Sequence, residues 1–237
     1  MLEIIKRKLK KYLFHNWDPA LKHYRTTVKC KKNWYGNSYG GFYLCPVFLN
    51  SESIVYSFGI GEDISFGEKI IKEHNCFVFG FDPTPKSINW IEKQKLNRKY
   101  SFHPYGIATK TGNVDFFLPI KESNVSGSYV IQDNVSKENK INVQMKSLID
   151  VKDSLKHKKI DVLKMDIEGA EYEILLNLNY NELDIDQIII EFHDRMFNSG
   201  TEKSKEVIEY LKLNGYEIFG VSDTFEEISF IKTDLIK

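Results

Sequence analysis

Residues 53–61 read SIVYSFGIG, and the placement of the rest of the chain follows from this run. Ile54, Val55 and Tyr56 are β-formers that read as a short buried strand, and Gly59 and Gly61 fall where that strand must turn. Beyond them Ile64, Ile70 and Ile71 take up helical spacing. A strand, a Gly-x-Gly turn and a helix make a cradle for a nucleotide cofactor: glycine lets the backbone approach the ligand, and the helix start presents unpaired N–H groups. An ordinary tight turn between strand and helix gives the same pattern, and Ile64 stands where the dinucleotide fingerprint has its third glycine.

Residues 76–81, CFVFGF, read as a second strand ending in Asp82-Pro83-Thr84-Pro85. An acid about twenty residues past the glycine turn is placed to accept from a ribose hydroxyl pair, whereas it would repel a 2′-phosphate. Asp82 serves equally as N-cap of the helix expected through Ile88, Ile91 and Lys95, a role that Thr84 also fills. Residues 100–103 give a third strand, closed by Pro104 and followed by Gly106-Ile107. Residues 114–118 alternate weakly, 121–140 read as a long polar loop that is either a lid or a surface excursion, and 141–148 read as a strand.

The second informative region starts with a strand over residues 160–165, followed at once by Asp166-Ile167-Glu168-Gly169-Ala170-Glu171 and a helix through Ile174 and Leu175. A buried strand over 186–191 ends in Glu191-Phe192-His193-Asp194-Arg195. Open α/β sheets bind ligands at the carboxyl edge of their strands. Alternation sends Glu191 and His193 to one side and Phe192 to the other. Adjacent strands would therefore gather Asp166, Glu168, Glu191 and His193 beside the glycine turn, unless one or two of them merely cap helices. Residues 201–213 read as a helix with Ser204 outward and Val207, Ile208 and Leu211 inward, stopped by Gly215. Residues 216–221 and 227–232 close the series as an antiparallel pair.

The formal net charge of the 237 residues is zero, so the chain lacks the global field that binds nucleic acid. Residues 1–35 nevertheless carry ten Lys/Arg against Glu3 and Asp18, a net of +8, and divide from residues 36–237 as a basic helical arm from an α/β domain. In residues 1–17 Leu2, Ile5, Leu9, Tyr12 and Leu13 share one helical face, with Lys6, Lys8, Lys10 and Lys11 largely beside or opposite it. Such a helix suits an anionic membrane surface or a partner; it suits packing on its own domain as well. Cys30, Cys45 and Cys76 have neither metal-ligand spacing nor disulfide density, which points to a reducing compartment. With no apolar run of transmembrane length and no continuous signal-peptide core, the expected location is the cytoplasm, with the arm available to the inner face of the membrane.

At VYSFGIGEDISF (55–66), FDPTP (81–85), LKMDIEGAEYEIL (163–175) and IIEFHDR (189–195) the sequence resembles the FkbM-type family of S-adenosylmethionine-dependent methyltransferases, and GGFYLCPVFL (40–49) resembles a lead-in found in one bacterial branch of it. The resemblance implies the class I methyltransferase fold: a Rossmann-like α/β mixed sheet of seven strands, one antiparallel, flanked by helices. It implies S-adenosylmethionine as cofactor and O-methylation, often of sugars in surface polysaccharides or of natural products. Gly59 and Gly61 would line the methionine and ribose portion, Asp82 would take the ribose hydroxyls, and Pro83, Thr84, Gly106 and Ile107 would border the adenine. Where many such enzymes carry an acid at the end of the first strand this chain has Ser57 and Phe58, which leaves Glu62 or Asp63 for the cofactor's ammonium. Asp166, Glu168, Glu191 and His193 match acceptor-side positions.

Methyl transfer to oxygen needs the acceptor held in line and relieved of its proton. His193 is the expected general base, oriented by Asp166 or Glu191, because an unperturbed imidazole titrates near neutrality. Alternatively, Asp166, Glu168, Glu191 and His193, or some of them, hold Mg²⁺ or a similar hard ion that acidifies a sugar diol; convergent carboxylates can equally grip sugar hydroxyls, and a metal is the less favoured reading. Two competing functions remain: an NAD-dependent oxidoreductase, which explains Asp82 but neither the missing third glycine nor DIEGAE, and a catalytically inactive, membrane-peripheral binding subunit recruited through residues 1–17.

Overall fold

A computed structural model describes residues 19–38, 40–119, 127–128 and 135–236. The amphipathic stretch expected over residues 1–17, and Tyr39, lie outside the described residues. Strands β1 (Asn33–Tyr35) and β2 (Phe42–Leu44) pair as a short antiparallel hairpin ahead of the main sheet. The chain then runs β3 (Ile54–Phe58), α1 (Ser65–His74), β4 (Phe77–Phe81), α2 (Pro85–Ile91) and β5 (Tyr100–His103). Next come β6 (Gly106–Ile107), β7 (Gly112–Pro119), β8 (Val135–Lys146) and α3 (Leu148–Ser154). The series ends with β9 (Ile160–Met165), α4 (Glu171–Asn177), β10 (Ile185–Glu191), α5 (Glu202–Leu213), β11 (Tyr216–Val221) and β12 (Glu227–Lys232).

Seven strands form one sheet in the order β11-β12-β10-β9-β3-β4-β5, parallel throughout except for β12, which is antiparallel to both of its neighbours. This is the class I methyltransferase sheet. Its central strands are apolar on both faces because helices cover both. Val55, Val78, Val162 and Ile189 pack with Phe66, Ile70 and Ile71 of α1 on one face. Tyr56, Phe81, Leu163, Ile188 and Ile190 pack with Ile174 and Leu175 of α4 and with Val207, Ile208 and Leu211 of α5 on the other. The chain leaves the sheet at β5 and returns at β9 beside β3, so the carboxyl ends of β3 and β9 flank the point where strand order reverses, the usual ligand position in such sheets.

Several expectations change. The polar run 121–140 is not all loop: residues 135–140 belong to β8, which pairs antiparallel with β7, and Ser128 pairs with Phe117. Residues 147–154, partly read as strand, start a helix in which Ser147 Oγ accepts from Asp150 N at 3.2 Å. Helix α2 ends at Ile91, so Lys95 falls beyond it. Ser204 is wholly buried rather than outward-facing, because residues 19–24 cover that side of α5. Those residues lie on the domain: Tyr24 is part of its core, and the N–H groups of Thr27 and Val28 both donate to Ile218 O, at 2.8 and 3.2 Å.

A run of rings, Tyr56, Phe79, Phe81, His103 and His157, fills the opposite side of β3 and β4 from α1. Tyr56 OH bonds to His157 Nδ1 at 2.7 Å, and burial holds the His157 imidazole below its usual pKa. A folded-state value below the unfolded one gives stability that is complete above about pH 6.5 and is lost as the pH falls through that value. Melting temperature is therefore expected to drop between about pH 7.5 and about pH 5.5. His157→Gln, which keeps an acceptor for Tyr56 and does not titrate, should flatten part of that drop; an identical drop in both proteins would exclude His157 as a contributor.

Candidate active site

The turn after β3 is fixed from both sides. Gly59 has φ 75° and Gly61 φ 53°, the left-handed region that favours glycine. A Cβ on Gly59 would lie 1.7 Å from Asp166 O, so no other residue fits there. Gly59 N donates to Phe81 O at 3.0 Å, Asp166 N donates to Phe58 O at 3.2 Å, and Lys164 Nζ donates to Gly59 O at 3.1 Å. Asp82, at the end of β4, ties the turn down. Its Oδ2 accepts from Gly61 N at 3.0 Å, and its Oδ1 accepts from Thr84 N and Oγ1 at 2.9 and 2.6 Å. The N-cap of α2 is Thr84, whose Oγ1 accepts from Ser87 N, so Asp82 is not the cap. Asp63 Oδ1 accepts from Ser65 N at 2.8 Å and its Oδ2 from Asn37 Nδ2 at 2.7 Å, while Glu62 reaches Lys86 at 3.8 Å.

A cavity of about 650 Å³ opens on this turn. Gly59, Gly61, Glu62, Asp63 and Asp82 line one end of it. Pro83 and Thr84 beyond β4, with Gly106 and Ile107 of β6, form a second wall. Phe116 of β7 and Met145 of β8, which sequence reasoning did not single out, add to this wall from the small β6-β8-β7 sheet. Asp166, Glu168 and Glu191 line the cavity at the ends of β9 and β10. Lys164 was also missed, although a lysine inside the apolar run IDVLKM is a signal; it is 5% exposed, and its Nζ lies 3.3 Å from Asp166 Oδ2.

The structure brings the four expected acceptor-side residues together. His193 Nε2 lies 3.5 Å from Glu168 Oε2, 3.6 Å from Glu191 Oε1 and 3.8 Å from Asp166 Oδ1. His193 Nδ1 bonds to Oε1 of Glu171 at 3.0 Å, and Glu171 is completely buried. Glu168 has φ 54°, uncommon for a residue with a side chain, immediately before Gly169 at φ 93°. Burial by itself lowers the His193 pKa, but Glu171, then Glu168 and Asp166, outweigh it and lift it to about 10. Burial, then the charge of Asp166, lifts the Glu191 carboxyl well above the usual carboxylate range. His193 is therefore not placed as the expected neutral base. It is 1% exposed and is not among the residues that line the cavity.

Behind it, Asp194 accepts from Tyr24 OH, from Ser204 Oγ at 2.6 Å and from Tyr172 OH at 2.9 Å. These bonds fasten the turn after β10 to the chain's first described segment, to α4 and to α5.

Residues 46–218 match the methyltransferase FkbM domain. The chain belongs to the FkbM methyltransferase family. It is 28% identical over 154 residues to the human probable methyltransferase-like protein 24, covering 64% of this chain and 36% of that protein. The rat counterpart is 27% identical over 198 residues, covering 76% of this chain and 46% of the other. The chain thus spans less than half the length of either relative. Among solved structures, a Methanococcus jannaschii fibrillarin superposes with a TM-score of 0.46 at 14% identity, over 78% of this chain and 68% of that one. Among the described residues, no helix of this FkbM chain is long and apolar enough to cross a membrane.

If Asp82 is the clasp of the glycine turn, Asp82→Ala should lower the unfolding free energy even without a cofactor. A hydrogen bond to a charged group contributes about 1.5–3 kcal/mol, and a loss of that order is expected in a denaturant titration. A variant as stable as the wild type would remove the clasp.

Proposed function

We propose that this FkbM-family protein transfers a methyl group from S-adenosylmethionine to a hydroxyl oxygen of a sugar, in a saccharide or natural-product precursor. The observation that carries the reading is one cavity holding both the glycine turn and the carboxylates Asp166, Glu168 and Glu191. The residues present fit the cofactor. The turn has no room for a side chain at Gly59, and Gly106 is packed so closely that a Cβ would lie 2.6 Å from Met145 Sδ and 3.0 Å from Pro83 Cγ. Gly59 and Gly61 would lie along the methionine and ribose portion, Asp82 at the ribose hydroxyls, and Glu62 or Asp63 at the ammonium. Bound there, S-adenosylmethionine supplies an electrophilic methyl on a sulfonium that leaves as a neutral thioether.

The chain's own part is to orient the acceptor and accept its proton. A sugar offers several O–H donors, and Asp166, Glu168 and Glu191 are three acceptors converging on one side of the cavity. With His193 not among the lining residues, the proton of the reacting hydroxyl goes to Glu168, which lines the cavity and is carried on a strained backbone.

S-adenosylmethionine or its demethylated product should raise the melting temperature, by mass action, and NAD should not. A shift with NAD alone would favour an oxidoreductase, and no shift with either an inert subunit. With a sugar acceptor found by transfer of labelled methyl, Glu168→Gln should lower turnover by about 10²–10⁴-fold and leave cofactor affinity near the wild-type value. Near-normal turnover in the folded variant would remove Glu168 as proton acceptor.

A further inference from the structure

We propose that Asp166, Glu191 and His193 form a binding site for one hard divalent cation, Mn²⁺ or Mg²⁺ in type, on the acceptor side of the cavity. One ligand atom from each lies within 4.8 Å of the others. Atoms on opposite sides of such an ion are roughly 4–5 Å apart, so the three need little movement to share it. The imidazole is what separates this cluster from a chance gathering of acids. Its side chain is 1% exposed, and its Nε2 faces the carboxylates at 3.5, 3.6 and 3.8 Å. Its Nδ1 is locked by Glu171 at 3.0 Å. A carboxylate on one ring nitrogen, with the other nitrogen aimed at oxygen ligands, is the way a metal-bound histidine is oriented.

The donor set selects the class of ion. Two carboxylates with a third, Glu168, alongside favour Mg²⁺ or Mn²⁺, and a single imidazole shifts the balance towards Mn²⁺. The free cysteines Cys30, Cys45 and Cys76 contribute no soft ligand to the cluster. Lys164 on Asp166 Oδ2 and Arg195 on Glu191 Oε1, at 3.3 and 3.5 Å, hold these two carboxylates in position. A cation there would hold the acceptor oxygen and lower its pKa, so that a carboxylate such as Glu168 suffices to take the proton. The catalytic role rests on the methyltransferase reading; the cation site does not.

The test uses the full chain, stripped with a chelator, desalted and titrated calorimetrically with Mn²⁺ alone. One Mn²⁺ should bind, and Asp166→Asn and Glu191→Gln should each weaken it by about a hundredfold. Glu171→Gln, which leaves the first ligands in place, should weaken it by about 10–100-fold. Circular dichroism identifies folded variants, and any one of the three suffices. Absence of binding by the wild type up to roughly 1 mM, or unchanged binding in folded Asp166→Asn or Glu191→Gln, would overturn the site. A parallel titration of the stripped chain with S-adenosylmethionine keeps the two readings apart. Cofactor binding without a response to Mn²⁺ overturns the metal and leaves the methyltransferase, and Mn²⁺ binding without a response to the cofactor does the reverse.

Discussion

The site depends on one buried carboxylate. Glu171, the first residue of α4, accepts from Gly169 N at 2.9 Å through one oxygen, and from His193 N and Nδ1 at 3.1 and 3.0 Å through the other. Burying a carboxylate is costly unless donors replace its water, and here they come from two separate chain segments. The same three bonds that satisfy Glu171 therefore join the loop after β9 to the turn after β10. With Glu171 in place, Glu168 is held in its left-handed conformation and His193 is turned so that Nε2 faces Asp166 and Glu191.

Charge balance explains the neighbouring residues. Lys164 is almost completely buried, yet Gly59 O and Asp166 receive its ammonium and the Phe42 ring lies 5.1 Å away. It thereby joins the glycine turn to the acidic edge, so the two ends of the cavity share a cation. Arg195 does the same further out, spanning Glu226 at 2.7 Å and Glu191 at 3.5 Å. An edge with this many carboxylates would repel itself without such partners.

The parts of the fold legible in the sequence were those with a strong period or a special residue. The apolar runs of β3, β9 and β10 and the glycines after β3 announced themselves, and the order of the DPTP, DIEGAE and EFHDR segments placed their acids on one sheet edge. The amino-terminal half of β8 did not, because its sequence VSKENK (135–140) shows no alternation of apolar and polar residues. Helix α3 is short, and its signal lay in the Ser147–Asp150 capping pair rather than in periodicity. The convergence of His193 with the acids followed from strand alternation. Its burial did not, because the Glu171 carboxylate that closes on its Nδ1 lies 22 residues away in sequence.

The two walls of the cavity have different mechanical origins. One is the edge of a parallel sheet whose strands are buried on both faces, with each turn tied to a neighbouring strand end. The other is the small antiparallel β6-β8-β7 sheet, joined to the first through Pro83, Gly106 and Met145. Gly127 is packed against it so closely that a Cβ would lie 2.4 Å from Phe116 Cε1. Changes in the first wall disturb the core of the domain, because its residues are continuous with β3, β9 and β10. Changes on β7 and β8 leave that core alone, since Phe116, Val143 and Met145 form with Ala108 a separate apolar cluster. Chemistry is thus built on the rigid edge, and the side of the cavity that can vary without unfolding the sheet is the one facing it.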